Sequence, residues 1–220
     1  MKTYKVLFIG NSHTYYNDMP QMVVKLADAA GHERNLEAEQ SIGNGVSLEW
    51  HWQNRKTRDL IKGERWDYVV LQDRSGGPLE VKESMHRHAR LLNAEIKKQG
   101  AKTIFYMTWA NKHRPQTQKI ISEAYEQIAR ELDTVLAPVG VAWENCQKVN
   151  PEINLYHKDG RHANPMGSYL TACVFYATIY NVSPEGLPFL VSLENNELNN
   201  ITEDKIRFLQ RMAFGAIQNK

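Results

Sequence analysis

Short apolar runs alternate with longer amphipathic stretches along this chain, a rhythm expected when strands of one mostly parallel sheet are joined through helices. Five runs read as strands: residues 4–10 ("YKVLFIG"), 35–42, 67–72, 102–109 and 134–143. The third and fourth are short and rich in β-branched or aromatic residues, as strands buried on both faces are. Pro138 inside the fifth predicts an edge strand or a bent one. Between strands, the spacing predicts a helix capped by Asp18, with Pro20 in its first turn and Gly31 as its stop. Further helices are expected over about 46–56, 79–99 and 115–132. The segment "NPMGSYLTACVFYATIYN" is apolar nearly all round and predicts a helix buried against the sheet. A polar connection, "ENNELNN", then leads to a last helix over about 202–217. No repeat or linker divides the sequence, so residues 1–220 read as one domain, long enough to bury a substantial core.

Composition narrows the function by exclusion. A net charge of +2, spread without long runs of one sign, gives no electrostatic footprint for nucleic acid or a polybasic membrane anchor. Cys146 and Cys173 stand in unrelated segments without metal-ligand spacing and read as buried free thiols. His86 and His88 are two apart on a predicted helix, the wrong spacing for two ligands on one face, so no metal site is expected there. No apolar run reaches the roughly 18 residues of a membrane span. The chain as given reads as cytoplasmic, or as periplasmic or secreted where an export signal has been removed.

The chemistry-bearing residues lie at the two ends. Ser12 follows the first strand in "FIGNSHTYY". A serine at a strand-to-helix turn can cradle phosphate, mount a nucleophile or cap a helix. The phosphate role would need more glycines and an adjacent lysine. A nucleophilic serine needs a base that is itself oriented by a third group. Asp159 and His162, three residues apart in "YHKDGRHANP", offer that pair in a loop just before the buried helix.

With these residues in place, the chain from its first strand to about residue 180 resembles the SGNH/GDSL hydrolases. It looks most like a bacterial branch whose opening reads "FIGNS" where the wider family has "GDS". The resemblance implies a flavodoxin-like three-layer α/β/α sandwich with a five-stranded, mainly parallel sheet, and a serine esterase that needs no cofactor or metal. It implies Ser12 as nucleophile, His162 as base and Asp159 as its acid partner, with Gly45 matching the second-block glycine. The third block departs from the family's GxND and reads "LQDRSGG". Gln72 offers a neutral carboxamide at the strand end and is favoured to complete an oxyanion hole with the Ser12 and Gly45 N–H groups; Arg74 is the alternative donor.

The expected substrate is a small-molecule or carbohydrate ester with a short acyl group, acetyl foremost. The alternatives are a hydrolase of longer acyl chains or a glycan-binding module on the same fold. Trp50, His51 and Trp52 with Trp109 form a candidate sugar-stacking rim, although aromatics in such places also line cores and grooves. Trp50, Trp109 and Arg74 are the candidate substrate contacts. His13 is expected to shape the pocket or contact solvent rather than act as the base.

Overall fold

In the computed structural model, which describes residues 2–189 and 201–218, five parallel strands form one sheet in the order β2-β1-β3-β4-β5. The elements run β1 (Lys2–Gly10), α1 (Ser12–Tyr15), α2 (Met19–Ala30), β2 (Arg34–Ile42), α3 (Leu48–Gln53), α4 (Arg55–Gly63), β3 (Tyr68–Leu71), α5 (Gly77–Glu80) and α6 (Lys82–Lys98). They continue with β4 (Lys102–Tyr106), α7 (Gln118–Leu132), β5 (Val135–Ala137), α8 (Val139–Val149), α9 (Pro165–Tyr180) and α10 (Glu203–Gln218). The "ENNELNN" connection lies outside the described residues.

Strand periodicity divides the core in two. Val6, Phe8, Val70, Ile104 and Tyr106 face a cluster shared with α2, α8, α9 and α10. Leu7, Ile9, Val69, Leu71 and Phe105 face the other cluster, shared with α3, α4, α6 and α7. Alternate side chains point to opposite faces of a strand, so apolar residues at consecutive positions require helices on both sides, giving three layers. Helix α9 closes one layer. Asn164 caps it by accepting the Gly167 N–H at 2.9 Å, and its residues from Gly167 to Ala177 are all buried. Cys146 and Cys173 are free and buried.

The fifth predicted strand is corrected. Only Val135–Ala137 pairs, at the sheet edge beside β4, and the chain turns into α8 directly after Pro138. Proline lacks the N–H a ladder needs but fits before a first helical turn, where that donor would be unpaired anyway. Two predicted helices are each broken in two, at Asn54 and at Val81.

With this strand order, the direction of winding reverses between β1 and β3, and the crevice at their carboxyl ends is where such sheets hold ligands. Gly10 ends β1 there. A Cβ on it would lie 2.4 Å from Thr14 Oγ1 and 2.5 Å from Gln72 Oε1, so the turn into α1 has room only for glycine. Among the described residues, no helix is long and apolar enough to cross a membrane.

Candidate active site

Ser12 is the first residue of α1. Asn11 caps this helix, its side-chain oxygen accepting the His13 N–H at 3.1 Å. The predicted cap, Asp18, instead adopts left-handed backbone and makes no capping bond through its side chain. The Asn11 amide also donates to the Val46 carbonyl at 2.9 Å, drawing the loop that carries Gly45 against the serine turn. Tyr15 fixes the same loop through its hydroxyl, which donates to Asn44 Oδ1 at 2.8 Å. Gly45 has φ of +62°, a conformation that favours glycine.

His162 arrives from a tight loop before α9. The His157 N–H donates to the His162 carbonyl at 2.8 Å, and Tyr156 bridges Ala163 in antiparallel fashion. Asp159 holds this loop from within, its Oδ1 accepting the N–H groups of Arg161 and His162 at 2.8 and 3.0 Å. Asn17 helps join the loop region to the serine segment. Asn17 donates to the Ala163 carbonyl at 3.2 Å and to Ser168 Oγ at 2.9 Å.

The result is a continuous relay. Ser12 Oγ lies 2.8 Å from His162 Nε2, and His162 Nδ1 lies 2.5 Å from Asp159 Oδ2. With Nδ1 donating to the carboxylate, the Nε2 lone pair faces the hydroxyl. Burial alone would raise the Asp159 pKa, but bonds from the His162 ring and the two loop N–H groups outweigh it and hold the carboxyl well below the usual range. The Tyr16 ring lies on the other side of the imidazole, 4.3 Å away and tilted by only 7°.

A pocket of about 380 Å³ opens over Ser12, lined by residues that include Gly45, Arg74, Arg161 and His162. Ser12 and Gly45 have no hydrogen-bond partner for their backbone N–H groups among the described residues. His13 also lines it, buried beside Trp109 at 4.9 Å between ring centres, and burial pushes its pKa down to about 3. It is a neutral wall.

Three expectations are corrected. Gln72 is fully buried, and its Oε1 accepts the Asn11 N–H at 2.9 Å and the Thr14 hydroxyl at 3.0 Å. Its amide nitrogen donates to the Asp73 carbonyl, and the side chain, fully buried, does not line the pocket over Ser12. Trp109 is 2% exposed, stacked flat on Trp143 at 3.9 Å, and cannot rim a sugar site. His51 turns inward to the Gly10 carbonyl and Thr57, which leaves Trp50 exposed outside the pocket lining. Arg74, by contrast, reaches the pocket and pairs with Glu80 at 2.9 Å. His86 and His88 contact different carbonyls, those of Ala124 and Ser84.

Sequence reasoning missed Asn11, Tyr16 and Asn17. The capping signal at Asn11 was available one residue before the serine. Nothing local marks Tyr16 or Asn17, whose partners lie about 150 positions away in sequence.

Solved structures share this architecture. A DUF4886 family protein from Bacteroides uniformis superposes with a TM-score of 0.80 at 21% identity, covering 99% of this chain and 95% of that one. A candidate SGNH hydrolase from Slackia heliotrinireducens gives 0.67 at 28% identity, covering 81% and 100%. The acetyl xylan esterase AlAXEase gives 0.66 at 16%, covering 80% and 99%. No protein-family model matches the sequence, and no curated protein matches it. The chain has the α/β/α fold of the SGNH/GDSL hydrolases.

Proposed function

We propose that the chain is a serine esterase acting on short-chain acyl esters, acetyl foremost and carbohydrate-linked esters included, as one hydrolase domain. The observation that carries this reading is His162 lying within hydrogen-bond reach of both Ser12 and Asp159. The fold it shares with an acetyl xylan esterase and other esterases supports the same class.

In this mechanism His162 Nε2 takes the Ser12 proton as Oγ bonds to the ester carbonyl carbon, whose oxygen becomes an anion. The unpartnered N–H groups of Ser12 and Gly45 are the oxyanion donors, with Arg74 replacing Gln72 as the third candidate. The intermediate collapses as the bond to the alcohol oxygen breaks and His162 hands its proton to that oxygen. Water, deprotonated by His162, then attacks the acyl-enzyme, and the acid leaves as Ser12 regains its proton. Asp159 stays ionised throughout, holding the imidazole tautomer and stabilising the imidazolium.

The glycan-binding alternative loses its main support with the burial of Trp109. Fluorophosphonate labelling tests for an activated serine: the wild type should react and Ser12→Ala should not. Acetate release from p-nitrophenyl acetate should fall at least about a thousandfold in Ser12→Ala and His162→Ala. Equal turnover by wild type and His162→Ala would remove the esterase reading.

A further inference from the structure

We propose that the substrate carries a carboxylate on its alcohol part and that Arg161 binds it; this rests on the esterase reading above. The pocket lining contains Arg74 and Arg161 but neither aspartate nor glutamate. Arg74 is already engaged by Glu80. Arg161 is different.

Its main chain is pinned on both sides. The Arg161 N–H donates to Asp159 Oδ1 at 2.8 Å, and its carbonyl accepts the Trp109 indole N–H at 2.9 Å. The preceding Gly160 carbonyl accepts the Lys112 N–H at 2.9 Å. The Arg161 side chain, however, has no hydrogen bond or ion pair among the described residues. The nearby Asp159 carboxylate makes no ion pair with it; its oxygens accept two backbone N–H groups and face the His162 ring. An anchored backbone thus delivers a guanidinium without an ion-pair partner among the described residues to a pocket whose lining holds no acid.

The side of the substrate follows from proton transfer. His162 must protonate the leaving oxygen, so the alcohol part departs on the imidazole side, where Arg161 is the adjoining residue. A guanidinium presents a planar fork of donors that matches a carboxylate in two parallel hydrogen bonds.

The test pairs para-acetoxybenzoate with its neutral methyl ester, both releasing acetate. Arg161→Ala should lower kcat/KM for the anionic ester about tenfold, chiefly through KM, and change the methyl ester less than about twofold. Arg161→Lys should fall between, and added salt should shrink the preference of the wild type but not that of Arg161→Ala. Equal changes on both esters, or none, would overturn the proposal and leave the esterase reading standing. If the wild type hydrolyses neither ester, the esterase reading fails instead. An NMR titration of Ser12→Ala with para-hydroxybenzoate then decides the anion site. A Kd unchanged by adding Arg161→Ala overturns it, and one about tenfold weaker supports it.

Discussion

The Tyr16 ring stacks on the His162 imidazole, 4.3 Å between centres and nearly parallel, while the other edges of that imidazole hold Ser12 and Asp159. An aromatic face favours a cation and restricts the ring it covers. In the proposed mechanism Tyr16 is therefore a positioning residue for His162.

Tyr16→Ala should lower kcat about tenfold with little change in KM, since the loss falls on the step that forms imidazolium. Tyr16→Phe should keep most of the activity because the ring face is retained. A pH–rate profile displaced in Tyr16→Ala but not in Tyr16→Phe would separate this role from a general loss of packing.

Asp159→Asn should keep the fold and cost about three to four orders of magnitude in kcat, because the amide no longer selects the tautomer with Nε2 free. Circular dichroism alongside steady-state kinetics checks both halves.

Gln72→Ala should destabilise the protein. It orphans the buried Asn11 N–H and Thr14 hydroxyl, each loss costing about 1–3 kcal/mol. Urea unfolding measures this. The fraction that remains folded should turn over within about tenfold of wild type, whereas removing an oxyanion donor would cost about a hundredfold or more.

Asp73 is 1% exposed, its Oδ2 has no partner, and burial pushes its pKa up to about 6. Bonds from the Leu48 and Arg74 N–H groups only partly oppose the rise. The folded state then holds this proton more tightly than the unfolded chain, so stability is lost as pH rises from about 4 to about 6 and stays lost above that. The contribution is about 3 kcal/mol at most. Asp73→Asn should flatten this part of the stability–pH curve, read as the difference between the two proteins' urea midpoints.

The sequence made the local features legible and the distant ones obscure. The apolar run into Ser12, the Asp159–His162 spacing and the all-apolar α9 each depend on neighbours within a turn or two, and each lies where the pattern puts it. Gln72 and Trp109 did not follow expectation, because their surroundings come from elsewhere: Asn11 and Thr14 claim the first, Trp143 the second. The stretch "VGVAW" reads as strand by its β-branched residues. Packing of α8 against α9 and α10 overrides that propensity.

Ser12 and His162 are 150 positions apart in the chain. In the proposed mechanism the ribosome therefore releases the hydroxyl long before the imidazole that would activate it. A nascent or truncated chain ending ahead of the loop that precedes α9 would lack that proposed reactive centre. Covalent probes for activated serines would thus report that this loop has been made and has docked against the serine turn.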